Sequence, residues 1–484
     1  MWVKILPALI NFRMVENNTD KENIAGRLER LPYSGFHVKF ALMLASGEWA
    51  ESLMLLGNGA ILTLVAAAYS LGGNLSAYAL PAFFFLGEFV GSIFFGRLAD
   101  TRGRRAVFLT NQLVFGLGMI IAGFMNSWQL IGVFVLIGGI GVGGEFPLVD
   151  SYGTEMFVRK KRGAWLALIY TIAVTAAPII VYITSLTKGI GPLVGGLGIS
   201  GQTGYVAPVG YYAFRIPLWI MGISGIVVWL VRFRLRESPR WLATHGKIDQ
   251  AEKMMDDIES EVMKETGLKE LPPVTDKIEA PVKISAYKDI FAPDVRKTTI
   301  MMAIFMFFQS GIFYGFATFA PGLVSVKFPA SDPLGAAAVI FSGFLVGSIF
   351  NIFIIDKIER KWGIILFAIL GGIFGTFFAV IHGLDEVVIF GFLTAFMLWN
   401  FSNFLHQYNA EIFPTRVRTT AAGFVYSISR ISTTILVLFI AAFIGAHNAA
   451  GIFTFVWVLV IIVILVLVLM GPKSTQKYVE EIAV

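Results

Sequence analysis

The sequence predicts an all-α integral membrane protein whose twelve transmembrane helices form two pseudo-symmetric six-helix bundles. Three observations predict this architecture: an apolar composition, twelve apolar stretches of membrane-spanning length, and an internal repeat. Hydrophobic residues make up 56% of the 484 residues and charged residues 14%, whereas soluble domains average about 25% charged residues. The mean hydropathy is +0.74. A chain of this composition is suited to lipid rather than to water.

Each apolar stretch is close to the roughly 20 residues that a helix needs to cross a bilayer. In chain order the stretches centre near Leu44, Phe85, Leu117, Ile137, Ile172, Ile223, Phe307, Leu345, Ile369, Phe396, Ile435 and Leu459. Six precede and six follow a long polar segment, in which residues 248–268 have helical spacing and two prolines at 272–273 end it. This segment has too little apolar material to fold as a separate domain.

The repeat consists of two charged elements that each occur twice. The sequence GRLADTRGRR at 96–105 has a degenerate second copy, DKIERK at 356–361, and their aspartates are 356 − 100 = 256 residues apart. The sequence EMF at 155–157 returns as EIF at 411–413, and here too 411 − 155 = 256. One shared offset for two unrelated elements indicates two related halves. Internal repeats in a hydrophobic chain are typical of transporters.

The stretches divide the chain into an N-terminal segment (1–35), an N-terminal bundle (36–235), a linker (236–297), a C-terminal bundle (298–471) and a tail (472–484). Lysine and arginine concentrate in the loops after the second, fourth, eighth and tenth spans, which predicts that these loops are cytoplasmic. We therefore expect both termini and the linker in the cytoplasm and the chain in the plasma membrane. The net charge of +6 follows from this topology and does not indicate a nucleic-acid partner, since the cations do not form a basic stripe with stacking aromatic residues.

Three motifs carry a family resemblance. The segment at 96–105 resembles the loop motif of the major facilitator superfamily, and RESPRWL at 236–242 resembles the motif that closes the sixth helix in its sugar-porter and metabolite:proton symporter branches. EIFPTRVR at 411–418 is similar to the corresponding exit of the tenth helix. The resemblance implies two six-helix bundles around a central cavity that opens alternately to each side, with no bound cofactor. It does not imply a substrate.

The charged loops have a mechanical interpretation. A carboxylate at a helix end and arginines in the turn beyond it can form an ion pair and bind helix-end carbonyls, which would hold the cytoplasmic side closed. The candidates for this gate are Asp100, Arg104, Arg105, Glu155 and Arg162 in the first half and Asp356, Arg360, Glu411 and Arg418 in the second. The alternative is that the arginines only enforce topology and contact lipid headgroups.

Ionisable residues deep within a span are costly, since insertion scales put the cost of a charge at about 2.5 kcal/mol or more, and they usually face a cavity. The candidates for proton coupling are Glu51, Glu145, Asp150 and Glu48. Glu51 falls where the resembling symporters carry an acidic residue, although a second acid usual one turn later is here Met54. The alternative is a permanently satisfied structural pair or a position at the aqueous end of the helix. Glu88 fits a packing partner and a functional acid equally well.

Arg430 is well inside the eleventh span and needs a counter-charge, which either a helix acid or an anionic substrate would supply. We interpret it as a cavity residue, with snorkelling to an interface as the alternative. Polar side chains in neighbouring spans are further substrate candidates, namely Gln309, Asn351, Asn400, Asn403, His406 and Gln407. These amides also fit interhelical hydrogen bonds without ligand contact. Arg215, at the start of the sixth span, is expected to snorkel.

Other chemistries lack a signature. The sequence has no phosphate-binding glycine loop and no cysteine, and its five histidines lack metal-ligand spacing. We therefore expect neither an enzyme nor a metal or cofactor site. The favoured hypothesis is a monomeric, proton-coupled symporter of a small polar metabolite, an organic acid or a sugar, with the lipid bilayer as its surroundings. Efflux antiport, uniport and a transporter-like membrane sensor are the alternatives.

Overall fold

The computed structural model describes residues 23–69, 71, 75–187, 189–194, 209–274, 287–328, 333–414, 417–445 and 449–474. Most of the predicted N-terminal segment, part of the linker and the last ten residues of the tail lie outside these ranges. Helices dominate the described residues. Their strands are β1 (Leu193–Val194) and β2 (Val209–Gly210), which pair antiparallel.

The first half begins with a short helix before the membrane and ends with two helices of the linker. In chain order the helices are α1 (Ile24–Glu29), α2 (Gly35–Ala68), α3 (Leu75–Arg102), α4 (Arg104–Phe124), α5 (Trp128–Val142), α6 (Glu145–Met156), α7 (Arg162–Val174), α8 (Ala176–Thr187), α9 (Arg215–Arg232), α10 (Pro239–Thr244) and α11 (Ile248–Thr266). The predicted fourth span is α5 and α6, broken at a glycine pair, and the fifth is α7 and α8. A 3₁₀ turn (Arg159–Lys161) joins these two spans.

The second half has one helix for each predicted span. A 3₁₀ turn (Tyr287–Phe291) precedes α12 (Arg296–Lys327), α13 (Pro333–Ile354), α14 (Arg360–Val380), α15 (Leu384–Glu411), α16 (Arg418–Gly445) and α17 (Ala449–Met470). Within the described residues, nine segments are long and apolar enough to cross a membrane by length and composition alone. With α2, α16 and α17, these segments complete the twelve predicted spans.

The two halves meet through pairs of helices from opposite bundles. The most extensive of these contacts join α3 to α16 and α7 to α13. Small residues permit close approach: a Cβ atom added to Gly423 on α16 would lie 2.8 Å from the carbonyl oxygen of Ser92 on α3. Because these helix pairs are related by the repeat, the bundles pack around an approximate two-fold axis between them.

Glycine also positions an acidic residue within the first half. Gly143, at the break between α5 and α6, lies against the backbone of Glu88 on α3, and a Cβ atom there would be 2.7 Å from the Cα atom of Glu88. Since no larger residue fits this space, the glycine-rich stretch of the fourth span lets α3 pack closely against the break between α5 and α6. Glu88 is thereby held in the protein interior, where its side chain is fully buried.

The linker helix α11 is fastened to the start of the chain by charge. Arg27 on α1 binds Asp256 at 2.6 Å and Glu259 at 2.7 Å, both on α11. At the other end of α11, Glu265 accepts hydrogen bonds from the Lys39 side chain at 2.7 Å and from the backbone N–H of Phe36 at 2.8 Å. The Lys39 bond is the main cause that lowers the pKa of Glu265. The linker therefore packs onto the first bundle, as its polar, helical sequence allows.

Candidate functional site

A buried arginine lies where the two bundles meet. Arg430 on α16 forms an ion pair with Glu88 on α3, with Nε 3.0 Å from Oε2, and both side chains are fully buried. Its guanidinium donates hydrogen bonds to the hydroxyls of Tyr314 on α12 and Tyr426 on α16. The side chain thus lies between the bundles, with a helix acid as its counter-charge. Of the two partners that the sequence allows for Arg430, the structure contains the helix acid.

Two more carboxylates face this centre from α2. Glu48 and Glu51 are both fully buried, and neither carboxylate binds a cationic, amide, hydroxyl or backbone N–H donor among the described residues. Glu51 instead lies within hydrogen-bond reach of the Glu88 side chain. The electrostatic neighbours of Glu51 include Glu48, Glu88 and Arg430. The electrostatic neighbours of Glu48 are Glu145, Asp150, Arg232 and Arg430. We call the three carboxylates and the guanidinium, Glu48, Glu51, Glu88 and Arg430, the central cluster.

A second polar contact joins the halves nearer to the charged loops. Asp150 on α6 and His406 on α15 meet with Oδ2 3.1 Å from Nδ1, and the hydroxyl of Tyr170 on α7 donates to the other oxygen of Asp150. Phe146 stacks on the imidazole with ring centroids 4.8 Å apart. The predicted proton-coupling residue Asp150 and the predicted cavity residue His406 are thus direct partners.

Glu145 belongs to a separate network inside the first bundle. Its carboxylate forms an ion pair with Arg232 at the end of α9, and both side chains are fully buried. Asn111 on α4 donates to Glu145 at 2.7 Å, and Arg232 also donates to the backbone carbonyl of Leu44 at 3.1 Å. Sequence reasoning missed Arg232, because a cation at this end of a span satisfies the topology rule without a buried partner. Glu145 is therefore held in a saturated pair that stays within one bundle.

The charged loop of the first half forms an ion-pair network. Arg104 binds Asp100 at 2.9 Å and Glu155 at 2.7 Å. The other oxygen of Asp100 accepts a hydrogen bond from the backbone N–H of Thr420 at the start of α16, at 2.8 Å. Gly103 permits the sharp turn between α3 and α4, because its φ of 100° is readily adopted only by glycine. Asp100 thus connects its own loop to the opposite bundle.

The second half repeats this network residue by residue. Arg360 binds Asp356 at 2.9 Å and Glu411 at 3.3 Å. Asp356 accepts from the backbone N–H of Ala164 on α7 at 3.0 Å. The two inter-bundle donors are themselves one repeat apart, since 420 − 164 = 256. The gate candidates therefore form two equivalent contacts across the interface, and the two bundles touch on the side of the charged loops.

The linker and the tail complete these networks. Glu237, before α10, accepts from the backbone N–H of Arg104 at 2.8 Å. Burial raises the pKa of Glu237, and the N–H bonds to its carboxylate oppose that rise. In the tail, the hydroxyl of Ser474 donates to Glu411 at 3.0 Å. The two ion-pair networks are thus bound to the segments that follow each bundle.

The remaining gate candidates are arginines in different settings. Arg105 is exposed and donates to the backbone carbonyl of Phe233 at 3.0 Å. Arg162 and Arg418 are buried, and Arg418 donates to the backbone carbonyl of Phe413 at 3.3 Å. Arg215, expected to snorkel, is buried and donates to the helix-end carbonyl of Met125 at 3.1 Å.

The amide candidates mostly bind other helices. Asn351 on α13 donates to Asn400 on α15 at 2.9 Å. Asn403 contacts Ser348 at 3.4 Å. Gln407 donates to the backbone carbonyl of Gly163, beside the gate, at 3.1 Å. These contacts are the interhelical hydrogen bonds that the sequence analysis gave as the alternative to substrate contact for these amides.

The last amide candidate, Gln309 on α12, is buried and has Met306 as its neighbour.

Among the described residues, no group of three or more histidine, cysteine, aspartate or glutamate side chains is placed to hold a metal ion.

Comparison with known proteins gives a consistent result. Residues 40–484 match the family model "Sugar (and other) transporter". The chain is 25% identical to the inner membrane metabolite transport protein YdjE of Escherichia coli, over 96% of this chain and 98% of the relative. It is 22% identical to the niacin transporter NiaP of Acinetobacter baylyi, over 84% and 87%.

The fold has close counterparts among solved structures. The structure of the proton:xylose symporter XylE of Escherichia coli, a member of the major facilitator superfamily, superposes with a TM-score of 0.69. The alignment covers 93% of this chain and 99% of XylE at 16% identity. The predicted fold of two six-helix bundles is thereby confirmed.

Proposed function

Because this chain belongs to the sugar (and other) transporter family, it is a secondary transporter, and we propose that it carries a small polar metabolite together with protons by alternating access. The observation that carries the proposal is the central cluster, which places three carboxylates and one guanidinium, all buried, where the bundles meet. Buried charges of this kind mark substrate and proton paths in membrane proteins. The family and fold are those of a transporter rather than an enzyme.

The substrate class is an organic acid or a sugar. XylE, which shares the fold, is a proton:xylose symporter, and the relative from Acinetobacter baylyi is a niacin transporter. The likeness to XylE supports coupling to protons and a sugar substrate, whereas the likeness to the niacin transporter supports an organic acid. In either case one small molecule binds between the bundles, and a monomer is sufficient for the cycle.

For proton coupling, Glu51 is the first choice, with Glu48 beside it. Neither binds a cationic, amide, hydroxyl or backbone N–H donor among the described residues, so their charge state can respond to what binds nearby. Glu145 is held by Arg232 and Asn111, and this saturated pair favours a structural role for it. Asp150 and His406 join the two bundles and therefore fit a role in conformational change.

The gate contacts define the conformational cycle. Asp100 and Asp356 each bind a backbone N–H of the opposite bundle, so both contacts must break when this side of the protein opens. We place this side in the cytoplasm, together with both termini and the linker, and the protein in the plasma membrane, because the lysines and arginines cluster there.

The test measures the uptake of an organic acid or a sugar into liposomes that contain the purified full-length chain, with and without an imposed pH gradient. We expect the gradient to accelerate uptake by the native protein and to have no effect on Glu51→Gln. Glu386→Gln, which changes an exposed carboxylate at the start of α15, is the matched control and should behave like the native protein. Equal initial rates with and without the gradient in the native protein would refute proton coupling.

A further inference from the structure

The immediate surroundings of Arg430 indicate which chemical class of substrate binds there. The guanidinium lies 5.0 Å from the ring centroid of Tyr314 and 4.3 Å from that of Tyr426. The ring of Tyr314 contacts Phe85 of the opposite bundle, with centroids 5.5 Å apart, and Tyr426 contacts Phe146 at 5.8 Å. A buried cation is thus surrounded by aromatic rings from both halves.

The only carboxylate in an ion pair with Arg430 among the described residues is Glu88. A neutral hydroxyl compound that displaced Glu88 would leave a buried guanidinium and a buried carboxylate uncompensated, which is strongly unfavourable. A substrate carboxylate would replace one anion by another of the same shape and keep the guanidinium neutralised. Arginine suits this exchange, because its planar fork binds carboxylates in a bidentate manner.

The carboxylate that is released also has a defined fate. Glu88 remains in a fully buried position beside Glu51, where an unpaired charge is costly. It therefore takes up one proton as the substrate binds. The balance is complete: one substrate anion and one proton enter, the ion pair with Glu88 breaks, an ion pair with substrate forms, and the net charge of the central cluster is unchanged.

We propose that the substrate is a small aromatic monocarboxylate that displaces Glu88 from Arg430, and that the displaced Glu88, rather than Glu51, carries the coupled proton. The inference rests on the proposed function, narrows it to one substrate class and one exchange of partners, and moves the proton from Glu51 to Glu88. Tyr314 and Tyr426 flank the carboxylate subsite, while Phe85 and Phe146 contact the apolar body of the substrate. One anion moves with one proton, so transport is electroneutral.

The experiment uses benzoate as the probe and benzamide, which has the same shape without the charge, as the control ligand. Calorimetric titration of the full-length protein in two buffers of different ionisation enthalpy reports the protons taken up on binding. We expect about one proton per benzoate for the native protein and almost none for Glu88→Gln, which should still bind benzoate. Benzamide should bind at least about ten-fold more weakly, because it cannot pair with Arg430.

Variants at the arginine separate loss of the site from loss of the fold. Arg430→Gln should weaken benzoate binding about ten-fold or more. The double variant Arg430→Gln/Glu88→Gln, which buries no unpaired charge, should be as well folded as the native protein in size-exclusion and thermal-melting measurements and should not bind benzoate. Benzoate binding by this folded double variant would overturn the proposal.

Other outcomes distinguish a failure of this inference from a failure of the proposed function on which it rests. Proton-driven uptake of D-xylose without binding of benzoate would overturn the carboxylate site and leave proton-coupled transport standing. A rate of benzoate uptake that is the same with and without a pH gradient would overturn proton coupling and the role of Glu88. Unchanged proton uptake by Glu88→Gln would overturn the exchange of partners alone.

Discussion

Asp150 and His406 are partners at 3.1 Å and are also equivalent positions of the two halves, since 406 − 150 = 256. A residue can meet its own repeat equivalent only where the two-fold axis passes between them. Two tyrosines beside this pair are also equivalent positions of the two halves, since Tyr170 and Tyr426 are 426 − 170 = 256 residues apart. Both rings contact His406. The axis of the transporter therefore runs through a titratable pair.

This symmetry predicts the result of an exchange of residues. Asp150→His and His406→Asp should each lower the transport rate about ten-fold, the effect of losing about 1.4 kcal/mol, because each places two like residues face to face. The double exchange restores one aspartate and one histidine, with a tyrosine beside each. We expect it to recover at least half of the native rate in liposome uptake. A double variant no better than either single variant would contradict an axis at this pair.

The gate contacts predict how easily the charged-loop side opens. Asp100→Asn removes the charge that binds Arg104 and the N–H of Thr420, and a hydrogen bond to a charged group is worth about 1.5–3 kcal/mol. The open fraction should therefore rise about ten-fold or more. Because the chain has no cysteine, alkylation of a single introduced Ser151→Cys, at a fully buried position, measures opening directly.

Two comparisons make this gate measurement decisive. Asp356→Asn should accelerate alkylation to a similar extent, because it removes the equivalent contact with Ala164. Asp385→Asn, at an exposed position at the start of α15, should leave the rate unchanged. Equal alkylation rates in all of these proteins would show that the two aspartates do not hold the gate closed.

The buried pair of Glu145 and Arg232 predicts a strong effect on stability. Arg232→Met leaves the Glu145 carboxylate buried without its cation, and breaking a buried pair in this way costs about 3–5 kcal/mol. The double variant Glu145→Gln/Arg232→Met carries no buried charge and should recover most of that loss. Thermal unfolding in detergent is the measurement, and a double variant as unstable as Arg232→Met would exclude charge as the cause.

The contacts of Glu265 predict that the docking of the linker helix α11 depends on pH. Hydrogen bonds from Lys39 and from the N–H of Phe36 lower the pKa of Glu265. A carboxyl with a depressed pKa in the folded state stabilises the fold fully above the unfolded pKa of about 4.3, and this contribution is lost as the pH falls through the folded pKa. Docking of α11 should therefore weaken in acid.

Hydrogen exchange of the α11 amides checks this. At neutral pH, Glu265→Gln should exchange faster than the native protein, and the difference should vanish in acid, where both side chains are uncharged. Asp257→Asn, which changes an exposed residue of the same helix, is the control and should match the native protein at every pH. A difference that persists in acid would point to a cause other than the charge of Glu265.

The fold was predictable because its determinants are local or periodic. Length and hydropathy define spans, and two charged elements in one register define the halves, so the architecture required no knowledge of distant contacts. The gate candidates followed for the same reason: Asp100 and Arg104 are four residues apart, and their equivalents repeat the spacing.

The partners within the site were harder to predict. Glu88 and Arg430 are 430 − 88 = 342 residues apart, and no sequence pattern says which of several buried acids meets the arginine. Arg232 was missed because a cation at the end of a span, next to a loop that is predicted to be cytoplasmic, is ordinary, and only the packing of α9 against α2 and α4 turns it inward. Gln407 shares a helical face with Asn400 and Asn403, yet helix length carries it to the gate instead of the centre.

The position of Asp150 and His406 on the axis has an evolutionary consequence. In a homodimer of identical six-helix subunits, the residue at this site would face its own copy, and two aspartates or two histidines there would repel each other whenever both were charged. Joining two such subunits into one polypeptide lets the two codons diverge. The aspartate–histidine pair is thus an asymmetry that a gene for one six-helix subunit, used twice in a homodimer, could not have encoded.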